Sequence, residues 1–130
     1  MAATSVRPMT LTLGMVTTDT TDPTGLASWW SEQFGAEIAD PFGGTFVLVS
    51  GGTLPLTIAF QLVTEPTPGK NRLHFDLTAP DLDAEVDRLV SAGARLVERR
   101  GDENFRWVTL ADPIGNEFCV AAASETTSLA

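Results

Sequence analysis

The chain has 130 residues, the size of one ordinary domain, which is enough to bury a core without disulfides. Its formal net charge of −9 disfavours nucleic acid and acidic membranes as partners, because both are polyanions. A single cysteine excludes an internal disulfide, and no apolar stretch approaches the roughly 18 residues of a membrane span. We therefore expect a cytoplasmic protein without a secretory signal.

The first half of the chain begins with a predicted strand at Leu11–Thr18, which is rich in Thr, Val and Leu. Asp22 and Pro23 are typical of a helix start, and apolar residues at helical spacing predict a helix over Pro23–Phe34. Gly35 is expected to end this helix in a left-handed conformation. Further strands are predicted at Glu37–Ala39, Phe46–Ser50 and Leu56–Val63.

The second half repeats this order. Leu73–Thr78 alternates apolar and polar residues, which predicts a strand with His74 and Asp76 on one face and Leu73 on the other. Asp81 is expected to cap a helix over Leu82–Ala92. Later strands are predicted at Arg95–Glu98, Trp107–Ala111 and Glu117–Ala122.

Landmarks of the two halves recur at a nearly constant distance. Gly35 and Gly93, the helix stops, are 58 residues apart, and Met15 and His74, on the two first strands, are 59 apart. A repeated supersecondary unit in a short chain indicates one pseudo-symmetric domain. We predict a single domain over residues 1–130. It comprises module one at about 10–63, a Pro- and Gly-containing linker at 64–71, module two at about 72–122 and a loose tail at 123–130.

Alternation along the strands predicts that each sheet has one face against a helix and one free face. The free face of module two would carry a mixture of polar and aromatic residues, namely His74, Asp76, Trp107, Thr109, Glu117 and Cys119. Such a mixture is too polar for a dry core and too aromatic for an idle surface. It favours a concave site for a ligand.

Several of these segments together resemble one known family. The segments are the strand around Met15, Asp22-Pro23 followed by Trp29-Trp30, His74-Phe75-Asp76, and Asp112-Pro113-Ile114-Gly115-Asn116. Over residues 10–122 the chain resembles the glyoxalase / bleomycin resistance / dioxygenase family, also called the vicinal oxygen chelate family. The resemblance implies an α+β fold in which two βαβββ modules form a curved mixed sheet around a cup. It also implies a homodimer.

Enzymes of that family hold a divalent metal in the cup. Carried onto this chain, the family's ligand positions are Met15, Gln61, His74 and Cys119. None of the four is a carboxylate, whereas hard cations prefer carboxylate oxygen and imidazole nitrogen. We therefore expect neither a metal nor another cofactor, and we assign no catalytic residue. Asp76 and Glu117 lie two residues from ligand positions, so a displaced metal site stays open as an alternative.

The absence of the usual ligands favours the family's antibiotic-sequestering members, which bind drugs such as bleomycin or mitomycin. We predict non-catalytic binding of an aromatic natural-product antibiotic, giving drug resistance. The alternatives are a metal-dependent lyase, isomerase or dioxygenase acting on a small oxygenated substrate, and a metabolite-binding accessory domain. The residues expected to contact the guest are Met15, Thr17, Phe46, Gln61, His74, Asp76, Trp107, Thr109, Glu117 and Cys119.

Overall fold

A computed structural model of the protein describes residues 13, 15–71 and 73–122, which form two compact units that divide between Pro66 and Thr67. The first unit contains β1 (Met15–Thr20), α1 (Pro23–Phe34), β2 (Glu37–Ala39), β3 (Phe46–Ser50) and β4 (Thr57–Leu62). The second contains β5 (Asp76–Ala79), α2 (Leu82–Ser91), β6 (Arg95–Gly101), β7 (Arg106–Ala111) and β8 (Glu117–Ala122). Each unit is a βαβββ module, and the predicted α+β class is confirmed.

Each module folds into its own four-stranded mixed sheet with the same topology. The strand orders are β1-β4-β3-β2 and β5-β8-β7-β6. In both sheets the first strand of the module pairs parallel with its last strand, and the remaining pairs are antiparallel. The two repeated halves of the sequence therefore form sheets with the same strand pairing.

Both helices begin where the sequence predicts. The carboxylate of Asp22 accepts a hydrogen bond from the Gly25 amide, and the carboxylate of Asp81 accepts one from the Ala84 amide. Gly35 ends α1 with a φ of 60°, the left-handed conformation that glycine adopts without steric cost. Helix α2 ends at Ser91, one residue earlier than predicted.

A hydrophobic core lies between the helix and one face of the sheet in each unit. In the first unit α1 lies against β3 and β4, and Trp30 and Phe60 are 2% and 1% exposed. In the second unit Val86 and Phe118 are each 1% exposed. Burying a side chain of this size stabilises a fold by about 1.5–3 kcal/mol. The buried face of α2 consists of Leu82, Val86 and Leu89, whereas Val90 is 44% exposed.

Two strand bounds differ from their predictions by three residues, whereas the C-terminal end of β1 and the bounds of β4 and β7 differ by one or two. Strand β5 begins at Asp76, so Leu73 precedes it and is 81% exposed instead of buried. Ahead of the strand, the side-chain amide of Asn71 bridges the Leu73 carbonyl and the Glu117 amide of β8. Strand β6 continues to Gly101, three residues past its predicted end, because its antiparallel pairing with β7 continues.

Some predictions lie outside the described residues. These are the start of the first strand at positions 11, 12 and 14, and the tail at 123–130. Within the described ranges, neither helix is long and apolar enough to cross a membrane.

Candidate ligand-binding cleft

The face of the second sheet opposite α2 presents two rows of side chains, because residues paired across neighbouring strands point to the same side. The first, which we call the polar row, consists of Asp76, Cys119, Thr109 and Glu98. The second, which we call the aromatic row, consists of Thr78, Ala121, Trp107 and Arg100. The intervening positions, such as Val108 and Val120, are buried on the α2 side.

A cleft of about 260 Å³ opens across these rows. Its lining residues are Asp76, Leu77, Thr78, Phe105, Trp107, Cys119 and Ala121. Small Ala121 on β8 separates Trp107 from Thr78, whose backbones stand two strand spacings apart, about 9–10 Å. A stacked ring needs about 3.5–4 Å above the indole, and the small side chain of Ala121 leaves the floor of the cleft beside Trp107 low.

The aromatic wall of the cleft contains two rings. Phe105 and Trp107 have ring centroids 5.6 Å apart and planes inclined by 36°. Phe105 immediately precedes β7, in a turn where the Asp102 carboxylate accepts hydrogen bonds from the amides of Asn104 and Phe105. Gly101 closes the same turn with a φ of +92°. The wall is therefore held by a tight hairpin.

A hydrogen-bond network braces the floor of the cleft from the side of β6. Arg100 Nε donates to Thr109 Oγ1 at 2.9 Å, and Arg100 also donates to Glu98 at 3.3 Å. Thr109 Oγ1 lies 3.5 Å from Cys119 Sγ. Thr109 is only 3% exposed, so it lies beneath the surface and supports Cys119 without lining the cleft.

At the other side of the cleft, a histidine and a carboxylate lie close together. His74 Nε2 is 3.2 Å from Asp76 Oδ1. The possible metal-ligating atoms of His74, Asp76 and Cys119 all lie within 4.8 Å of one another. Nitrogen, oxygen and sulfur donors of this kind suit a borderline ion such as Zn²⁺, whereas Mg²⁺ favours an all-oxygen set.

The segment that carries His74 is fixed by the side chain of Asn71. Asn71 Oδ1 accepts a hydrogen bond from the Glu117 amide at 2.8 Å, and Asn71 Nδ2 donates to the Glu117 carbonyl at 3.0 Å. Lys70 Nζ lies 3.8 Å from the Glu117 carboxylate. Glu117 is thus engaged with the end of the linker, and it does not line the cleft.

The remaining predicted contacts lie in the first unit. Met15, Thr17 and Gln61 occur at positions of β1 and β4 that share one face, and Phe46 pairs with Gln61. Phe46 also contacts Phe42 edge-on, with 6.1 Å between the ring centroids. These four residues therefore share the face of the first sheet opposite α1.

The strand register identifies the residue of the first unit that corresponds to Cys119. Cys119 pairs with Asp76 on one side and Thr109 on the other. In the first unit, Ala59 has this place, between Thr17 and Leu48. The counterpart of Cys119 is therefore Ala59, which has no metal-binding atom in its side chain.

Sequence reasoning missed several residues of the cleft and its support. Thr78 and Ala121 are two residues beyond Asp76 and Cys119, so continued alternation was sufficient to find them. The turn residues Asp102 and Asn104 were a signal for Phe105. Arg100 had no such signal, because the predicted strand ended at Glu98.

The family assignment follows from comparison with known proteins. The family model for the glyoxalase-like domain matches residues 15–121, which is more than half of the chain. The chain therefore belongs to the glyoxalase-like domain family, in agreement with the resemblance found in its sequence. No curated protein matches the chain.

Solved structures support the same fold. The chain is similar to a genomically encoded fosfomycin resistance protein from Listeria monocytogenes (15% identity, TM-score 0.70, covering 91% of this chain and 98% of that one). It is also similar to a glyoxalase/bleomycin resistance protein/dioxygenase family enzyme from Burkholderia phytofirmans (19%, 0.68, 86% and 98%). A third is lactoylglutathione lyase from Agrobacterium tumefaciens (16%, 0.61, 90% and 96%). At these identities the likeness establishes the fold and leaves the function to the site.

Proposed function

We propose that the protein binds an aromatic natural-product antibiotic in the cleft of the second unit, releases it unchanged, and confers drug resistance by sequestration. The observation that carries this proposal is the wall formed by Phe105 and Trp107 above a floor of small residues. A wall of this kind contacts a flat guest over a large area without reacting with it.

The energetics of the cleft favour stacking. An aromatic pair contributes about 0.5–1.5 kcal/mol beyond the area it buries. Each Å² of apolar surface removed from water adds roughly 25 cal/mol. The cleft volume of about 260 Å³ is slightly below the usual range for drug-sized ligands, roughly 300–1,000 Å³. The preferred guest therefore inserts one or two fused rings, either as a whole small molecule or as one arm of a larger one.

The binding experiment uses aromatic antibiotics, including bleomycin and mitomycin, titrated into the protein while tryptophan fluorescence is followed. We expect saturable quenching at submicromolar concentration, and mass spectrometry that recovers the drug with its mass unchanged. Chemical alteration of the drug by the protein contradicts sequestration. Expression of the protein in a sensitive bacterium is expected to raise the inhibitory concentration of the drug that binds.

A second candidate function is a metal-dependent lyase, isomerase or dioxygenase of the same superfamily. It is favoured by one observation, the convergence of the imidazole of His74, the carboxylate of Asp76 and the thiol of Cys119 within 4.8 Å. These three side chains would hold the ion, and a bound Zn²⁺ supplies Lewis-acid polarisation of an oxygenated substrate. Stoichiometric metal in the purified protein, lost together with a turnover, would favour this candidate over sequestration.

A further inference from the structure

Among the described residues, Asp76 is the one charged residue that lines the cleft. It belongs to β5, and Trp107 belongs to β7, with β8 between them. A carboxylate thus stands diagonally across the floor from the aromatic wall, two strand spacings away and two residues along the strand, or roughly 12 Å at the backbone. A guest stacked on Trp107 projects its substituents towards this carboxylate.

The carboxylate of Asp76 differs from its neighbours on the same sheet. Glu98 is paired with Arg100, and Glu117 with Lys70. Among the described residues, Asp76 has a single ion-pair partner, His74, and no lysine or arginine. Its side chain is 73% exposed. Because an ionised carboxylate offers about four acceptor sites, a large part of its hydrogen-bonding capacity is available to a guest.

The charge of the whole protein acts in the same direction. A formal net charge of −9 raises the local concentration of cations, and a cleft focuses such a field. The ammonium group, with three N–H donors and a positive charge, is complementary to an exposed carboxylate at the edge of an apolar slot.

We infer that the cleft selects aromatic guests that carry a protonated amine, with the ring on Trp107 and the ammonium group on Asp76. This inference rests on the proposed function, because it presupposes that the cleft binds an aromatic guest. It goes beyond that function by defining the chemical class of the guest and the residue that selects it.

The test compares two probes with the same ring system, 1-naphthylmethylamine and 1-naphthylmethanol, by isothermal titration calorimetry. Exposed ion pairs contribute up to about 1 kcal/mol, which corresponds to a preference for the amine of up to about fivefold. The preference is expected to fall as salt is raised, because an exposed charge pair is screened.

Two variants with the same change in net charge locate the effect. Asp76→Asn is expected to remove the preference for the amine, and a thermal melt reports whether the variant is folded. Asp87→Asn, at an exposed position on α2, is expected to retain the preference. Retention in Asp87→Asn separates a local contact from a general effect of the protein's charge.

The outcomes separate this inference from the proposed function. Equal affinity of the wild-type protein for both probes, or a preference that survives in Asp76→Asn, overturns the amine inference while the aromatic cleft stands. Failure of both probes to bind overturns the proposed function and the inference together.

Discussion

The two units have the same arrangement of helix and sheet, and they differ in the side chains on the face of the sheet opposite the helix. Each has a capped helix on one side of a sheet with the same strand order. On the other side, the first unit places Thr17, Ala59 and Leu48 across three strands, and the second places Asp76, Cys119 and Thr109 at the corresponding positions. The repeat therefore preserves the helix caps, the turns and the strand register. The chemistry of the site depends on a few positions on the face of the sheet opposite the helix.

The edge strands enlarge this difference. In the first unit β2 has three residues, while in the second unit β6 has seven and contributes Arg100. Through its hydrogen bond to Thr109, Arg100 extends the polar network across the sheet. The aromatic position at the start of the third strand, in contrast, is retained as Phe46 in one unit and Trp107 in the other.

The largest expected effect tests whether the cores of the two units are equally well packed. Phe60→Ala in the first unit and Phe118→Ala in the second each remove a ring that is 1% exposed. Each should lower the free energy of unfolding by about 3–5 kcal/mol, because a large buried side chain leaves a cavity. Chemical denaturation measures both. A loss of less than about 1 kcal/mol in the free energy of unfolding, in either unit, would show that the ring is not tightly packed in the core of that unit.

The next effect separates backbone strain at a glycine from a steric clash between an added Cβ and a neighbouring residue. A Cβ atom added at Gly101, where φ is +92°, would clash with the Phe105 carbonyl. At Gly115, where φ is +98°, nothing lies within 4 Å of an added Cβ. We expect Gly101→Ala to destabilise by about 1–3 kcal/mol from backbone strain, and by more than Gly115→Ala, the matched control. Equal losses of stability in thermal melts would show that the close approach to Phe105 is unimportant.

A smaller effect concerns the fixed entry to the second unit. Asn71→Ala removes three side-chain hydrogen bonds to the backbone, two of them to Glu117. Since an average hydrogen bond contributes about 0.5–1.5 kcal/mol, we expect a net loss of roughly 1–2 kcal/mol after water replaces part of them. Asn71→Asp retains the acceptor alone, and its stability should lie between those of the wild-type protein and Asn71→Ala. Wild-type stability of Asn71→Ala in denaturant titration would remove this residue from the support of the site.

The smallest effect is confined to α2. The hydrogen bond from Arg88 lowers the pKa of Glu85, and the charge of Arg88 adds to this against partial burial. Because the pKa of the folded state is the lower one, the pair stabilises the protein above the ordinary carboxyl pKa, and this contribution disappears as the pH falls through the folded value. Glu85→Gln should cost about 0.2–0.5 kcal/mol at neutral pH and nothing in acid. A cost that persists in acid would assign it to packing.

The sequence predicted the elements that local interactions determine. The caps Asp22 and Asp81 fixed both helix starts, and alternation correctly placed Asp76, Trp107 and Cys119 on one face of the second sheet. These signals lie within a few residues of the helix start or strand position that they specify, so they can be recognised without knowledge of the tertiary contacts.

The remaining features depend on distant partners. Asn71 holds the backbone of Glu117, 46 residues away, just ahead of the start of β5. The pairing of Arg100 with Thr109 bridges two strands whose register the sequence does not specify. Residue composition indicates neither contact, because each requires the sheet to be already formed.

The most direct measurement compares the two aromatic positions that the repeat retains. Trp107→Ala and Phe46→Ala are each titrated with 1-naphthylmethanol by calorimetry. Truncation of the indole in the cleft is expected to weaken binding by about 1–3 kcal/mol, and by more than truncation of Phe46, because stacking and buried apolar area are lost together. Unchanged affinity in Trp107→Ala, or an equal loss in Phe46→Ala, would contradict a guest held against the wall of the second unit.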